Sequence, residues 1–131
     1  MNLLAIHKDV TAAFKVFWTY TSIAWPNLKF DPSSLGEWVR LSVIPADSDQ
    51  KSMGGSTNVH RQYGTVLIEI FIDQDSGAHR SVELADLAIN FFHTYSLGEI
   101  TFGSPDTIHL GQSDGWYKKN VACDFYSDND F

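Results

Sequence analysis

The sequence predicts an α+β domain, a mostly antiparallel (mixed) β-sheet of about five strands with two main helices packed on one face. Three observations predict it. Two segments, Asn2 to Tyr20 and Ala78 to Tyr95, carry apolar residues at the spacing of a helix face. The run from Val59 to Asp73 alternates apolar and polar residues over a length unusual for a small domain. Asp114-Gly115 stands between two strand patterns, which is a strong hairpin signal.

The first helix sets Leu3, Ile6, Val10, Phe14, Phe17 and Thr21 on one face, with Ala13 beside them. "AWPNLKFDPSSLGEW" follows, and its two prolines and glycine read as an irregular linker. Glu37 to Ile44 alternates Val39, Leu41 and Val43 against Trp38, Arg40 and Ser42, a strand closed by Pro45. A polar loop at about 46–58, holding Asp47, Asp49, Met53 and the Gly54-Gly55 pair, is expected to be mobile until it meets a partner. In the next strand Val66, Ile68, Ile70 and Ile72 make one oily face. The opposite face mixes Arg61, Tyr63, Leu67, Glu69 and Phe71, which is neither a clean core face nor a clean solvent face, and such a face often meets another protein.

Asp75-Ser76-Gly77 ends that strand and the second helix begins. Glu83, Asp86, Asn90, His93 and Thr94 share one narrow polar arc, and apolar residues fill the rest. That is wider than the stripe of about 100° needed against one sheet, so part of it should touch the first helix or a neighbouring subunit. Arg80 stands at the positive end of this helix, where an acidic partner such as Asp47 or Asp49 of a neighbouring copy would relieve it, although the small worth of exposed pairs favours a solvated Arg80. Short strands around Glu99 to Phe102 and Thr107 to Gly111 precede a final strand from Trp116 to Tyr126 and a short acidic C-terminal tail.

Residues 1–131 suit a single domain, and 44% apolar with 14% aromatic residues describes a globular chain with much aromatic mass to pack. No run approaches the roughly 18 apolar residues of a membrane helix, and Met1 to Ala13 lacks the features of a signal peptide, so a cytosolic chain is expected. A net charge of -7, from 9 basic and 16 acidic side chains, repels phosphate and argues against a dedicated nucleic-acid binder. The lone Cys123 excludes an intramolecular disulfide and a cysteine-cluster zinc site. His7, His60, His79, His93 and His109 lie in different elements without metal-ligand spacing. "GSTNVHRQYG" lacks the Lys and glycine spacing of a P-loop, and "HLGQSDGW" is not a nucleophile elbow. The residues suggest no catalytic site, no metal and no cofactor.

The succession "WPNLKFDP", "EWVRLSVIPADSDQKSMGG", "RQYGTVLIEIFIDQDSG", "RSVELADLAINFF", "ITFGSP" and "DGWYKKNVACDFYSD" resembles the tail terminator proteins of long-tailed bacteriophages, from about Val10 to Asp128. Glu37, Trp38, Val39, Arg40, Ser42, Val43, Pro45 and Asp47 match the family strand and the loop after it. Gly54, Gly55, Arg61, Tyr63 and Gly64 match the next segment, and Asp114, Gly115, Trp116 and Tyr117 the last. The resemblance implies a structural virion protein, a homo-oligomer in the form of a hexameric ring that caps the tail tube, ends its polymerisation and presents a joining surface to the head. Its partners would be the tail tube protein and a head-completion or connector protein. DNA would pass through without tight binding, no enzyme activity or cofactor would be involved, and the place would be the neck end of the virion tail after assembly in the host cytoplasm. The residues expected at interfaces are Asp47, Asp49, Met53, Gly54, Gly55, Arg61, Tyr63, Leu67, Glu69, Phe71, Arg80 and Trp116. Alternatives are another neck or head-tail completion protein, a small ligand-binding α+β module, and a chaperone-like adaptor.

Overall fold

The computed structural model describes residues 3–25, 28–30, 36–50, 59–73, 78–94, 100–113 and 115–130. The elements are α1 (Leu3–Phe17), β1 (Ser22–Ala24), β2 (Glu37–Gln50), β3 (Val59–Asp73), α2 (Ala78–Thr94), β4 (Ile100–Phe102), β5 (Asp106–Ser113) and β6 (Trp116–Asp130). The fold is α+β, as expected, with a six-stranded sheet instead of about five strands. The additional strand is β1, which follows the expected first helix and shares only Ala24 with the expected irregular linker. It pairs parallel with β2 through Ser22↔Trp38, Ile23↔Val39 and Ala24↔Arg40, while the other pairings are antiparallel. The order β1-β2-β3-β6 ends with β4 and β5 both on the far edge of β6.

The long strand pair at the centre organises the sheet. β3 and β6 stay in register from Val59↔Asp130 to Asp73↔Trp116. The hairpin expected at Asp114-Gly115 joins β5 to β6 through Ser113↔Trp116, and Gly115 supplies the left-handed backbone such a turn needs, with φ 82°. Two strand ends run further than the sequence patterns suggest. β2 continues past Pro45 to Gln50 through an irregularity between Pro45 and Ser48, so the first part of the expected loop is strand. Residues 51–58, with Met53, Gly54 and Gly55, lie outside the described residues. β6 likewise absorbs the expected acidic tail as far as Asp130.

One face of the sheet carries both helices. α1 packs over β2, and α2 over β3 and β6. Ile6, Val10 and Phe14 of α1 and Leu84, Ala88 and Phe91 of α2 close on Val39, Leu41, Val66, Ile68, Ile70, Ile72, Val121, Cys123 and Phe125. Full burial of a large apolar side chain is worth about 1.5–3 kcal/mol, so this cluster is the main stabilising term of the fold. The wide apolar arc of α2 is partly answered by α1, because Phe91 meets Phe14 edge-on at 5.3 Å and Phe17 at 5.5 Å. Phe102 of β4 covers Phe92 at 5.2 Å on the other flank, while Val82 remains 46% exposed. α1 stops at Phe17, short of Tyr20, and Trp18 turns inward to stack on Phe14 at 5.4 Å with its indole N–H donated to the hydroxyl of Thr21.

An open sheet face as candidate assembly surface

The alternation of β3 puts its odd residues on the face opposite the helices, and the register of β2 and β6 fixes what stands beside them. At one end Phe71 lies next to Trp38 and Lys118. The Trp38 and Phe71 rings stack at 3.9 Å, Trp116 meets Trp38 edge-on at 5.9 Å, and Phe30 covers Trp38 at 5.0 Å. With Ala24 these form a second, smaller apolar cluster, so Trp38 and Phe71 are buried without help from either helix. Cations frame the cluster: the Arg40 guanidinium lies 5.5 Å from the Trp38 ring and the Lys118 ammonium 4.9 Å from that of Phe71. Arg40 also reaches Glu69 across the strands at 3.9 Å. Two buried polar atoms near this end, Trp38 Nε1 and Asn120 Oδ1, have no hydrogen-bond partner among the described residues.

Leu67 occupies the middle of the face, opposite Ser42 and Ala122, and is half-buried. Beyond it Thr65 donates to Asp124 at 2.8 Å. At the far end Arg61 grips Asp128 in a forked pair, Nε to Oδ1 at 2.8 Å and Nη2 to Oδ2 at 3.2 Å, with its guanidinium 4.0 Å above the Tyr126 ring. The hydrogen bond to Asp128 holds the Arg61 pKa above its ordinary value, so the pair stays charged. Tyr63 stands beside Tyr126 at 6.4 Å. Among the described residues no helix crosses this face.

Six of the expected interface residues therefore share one surface: Arg61, Tyr63, Leu67, Glu69, Phe71 and Trp116. Arg80 does not. Its guanidinium bonds both oxygens of Glu37, Nη2 to Oε1 at 2.6 Å and Nε to Oε2 at 2.8 Å, and also bonds Glu83. Hydrogen bonding to Glu37 raises its pKa. The acidic partner expected from a neighbouring copy is thus supplied within the chain. Asp47 and Asp49 lie in β2 itself, Asp49 in register with Arg61. The sequence reading missed Phe30, Lys118, Asp124, Tyr126 and Asp128 as members of this face. The register of β6 against β3 would have identified the last four, and nothing local marks Phe30.

Chemistry elsewhere is sparse. Burial, with Asp124 adding to it, pushes the Cys123 thiol up to about 11, which keeps it protonated and unreactive at neutral pH. Among the described residues no three His, Cys, Asp or Glu side chains are grouped to hold a metal ion, and no helix is long and apolar enough to cross a membrane.

A family model described as "Phage tail terminator protein" matches residues 5–99. One solved structure superposes with a TM-score of 0.61 at 15% identity, over 94% of this chain and 95% of that one, and its name states no function. At that identity the likeness speaks for the fold alone. A search of curated proteins finds no match.

Proposed function

This chain belongs to the phage tail terminator family, and on that premise we propose that it forms a ring on the end of the tail tube, stops tube growth and offers the joining surface for the head. Family membership brings a structural role in the bacteriophage tail and association with other tail components. The ring, the cap and the head-joining surface are proposed beyond that, and the match over residues 5–99 is what supports them.

The open sheet face supports that reading. It presents the half-buried rings of Tyr63, Trp116 and Tyr126, a half-buried leucine and paired charges. A face with such features meets another subunit of the tail, the neighbouring copy or the end of the tube. The six-membered ring follows the family, and a closed ring needs two different complementary surfaces on every copy. The charge of -7 per chain gives the ring a negative field, so DNA passes its channel without sticking. Assembly in the host cytoplasm, no catalysis and no cofactor complete the proposal. Light scattering on the eluting protein tests it: a ring runs at several times the 14.7 kDa chain mass. A species that stays at the single-chain mass at every concentration, with or without tube protein, would remove the ring.

A further inference from the structure

The two flanks of the domain differ in charge. α1 lies over β2, next to the β1 edge, and its outer side bounds an open groove of about 510 Å³. His7, Lys8, Thr11, Ala12 and Lys15 form one wall, and Trp25 and Leu28 the other. Lys8 and Lys15 are exposed, no salt bridge engages them among the described residues, and Leu28 is 67% exposed. Two unpaired lysines around an apolar floor are conspicuous in a chain with only 9 basic side chains.

The opposite edge of the sheet is β5, beyond β6, and α2 packs over β3 and β6. Asp106 opens β5 and Asp86 stands on α2, both exposed and without a salt bridge among the described residues. Ile108 and Leu110 on β5 are 48% and 49% exposed. This side carries those two aspartates with exposed aliphatic residues, Lys119 of β6 standing in register with His109, and the other carries Lys8 and Lys15 beside Trp25 and Leu28.

We infer that the Lys8–Lys15 groove of one copy receives the Asp106–Leu110 edge of the next, so that these two flanks are the ring joint. The inference rests on the ring reading above and names its surfaces. Contact between two basic flanks or two acidic flanks sets like charges together, which opposes a two-fold dimer through either one. Basic against acidic is attractive and repeats head to tail, the condition for a cyclic assembly.

The experiment uses two charge-reversed full chains, Lys8→Glu/Lys15→Glu and Asp86→Lys/Asp106→Lys, with far-UV circular dichroism and thermal melts as folding controls. Wild type is expected at several times the chain mass by light scattering, each variant alone at the single-chain mass, and an equimolar mixture restored. The mixture recovers because the reversed groove of one variant meets the reversed edge of the other. Neutral variants, Lys8→Gln/Lys15→Gln and Asp86→Asn/Asp106→Asn, give the same ordering at smaller amplitude and stand in if a reversal unfolds the chain. Variants that assemble as wild type does, or a mixture that stays dissociated, overturn this joint and leave the ring standing. A wild type that never exceeds the single-chain mass overturns the ring reading and the joint with it.

Discussion

Replacing Gly64 by alanine probes how closely the central strands are seated. An alanine Cβ would stand 2.5 Å from Cζ and 2.6 Å from Cε1 of Phe125, and 2.8 Å from the carbonyl oxygen of Ile44. Unbonded carbons settle at about 3.5–4.0 Å, so the ring must withdraw by roughly 1 Å. An apolar notch of about 270 Å³ between the start of α1 and Val43 and Pro45 adjoins Phe125 and can take part of that movement. The Ile44 carbonyl cannot yield as easily, because it is backbone in a strand paired through Ile44↔Thr65 and Pro45↔Gly64. Overpacking of this kind costs about 1–3 kcal/mol. Removing glycine's freedom from the unfolded chain returns about 0.4–1 kcal/mol. The net expectation is a loss of about 1–2 kcal/mol, or a drop in Tm of about 4–8 °C for a domain of this size. Urea and thermal unfolding measure it, and Gly64→Ala/Phe125→Leu should recover part of the loss. A Gly64→Ala protein as stable as wild type, or more so, would refute the close approach.

Two further outcomes are expected. Cys123 has its pKa raised from 9.0 to about 11 in the fold, so the unfolded chain loses its proton first, and the stability held below about 9 is lost as pH rises toward 11. At about 1.4 kcal/mol per unit this amounts to about 3 kcal/mol, and urea titrations between those pH values should show a clearly shallower decline in Cys123→Ala; an equal decline in both proteins would put the effect elsewhere. Arg61→Ala/Tyr63→Ala removes the outer end of the open sheet face and should leave the thermal melt close to that of wild type, since exposed ion pairs contribute little, while weakening assembly; unaltered assembly would free that end of the face from any contact.

Periodicity and turn chemistry made the helices, the β3 faces and the β5–β6 hairpin legible in the sequence, because each depends on residues close together in the chain. Features set by distant partners were not legible. β1 is three residues long and exists because Ile23 reaches the core beside Val39. Pro45 and the aspartates after it carry local stop signals, yet β2 continues because β3 supplies a ladder on one side, and β1 pairs with β2 only as far as Arg40, so the missing proline N–H lies at an unpaired edge. Asp128 reads as tail, and its charge is tolerated in β6 because Arg61 stands opposite in register. The mixed face of β3 was visible as an anomaly; its division into a buried aromatic end and a charged far end depends on Phe30 and on side chains from β2 and β6. Arg80 shows the same limit, since Glu37 is 43 residues away in sequence.

Tail length in phage produced without this chain tests its central role most directly. Electron microscopy of lysates from a phage carrying an early stop codon in the gene should show tubes of irregular, excessive length without heads, and supplying the chain in trans should restore tails of one length joined to heads. Tails of normal, uniform length in its absence would contradict termination by this protein.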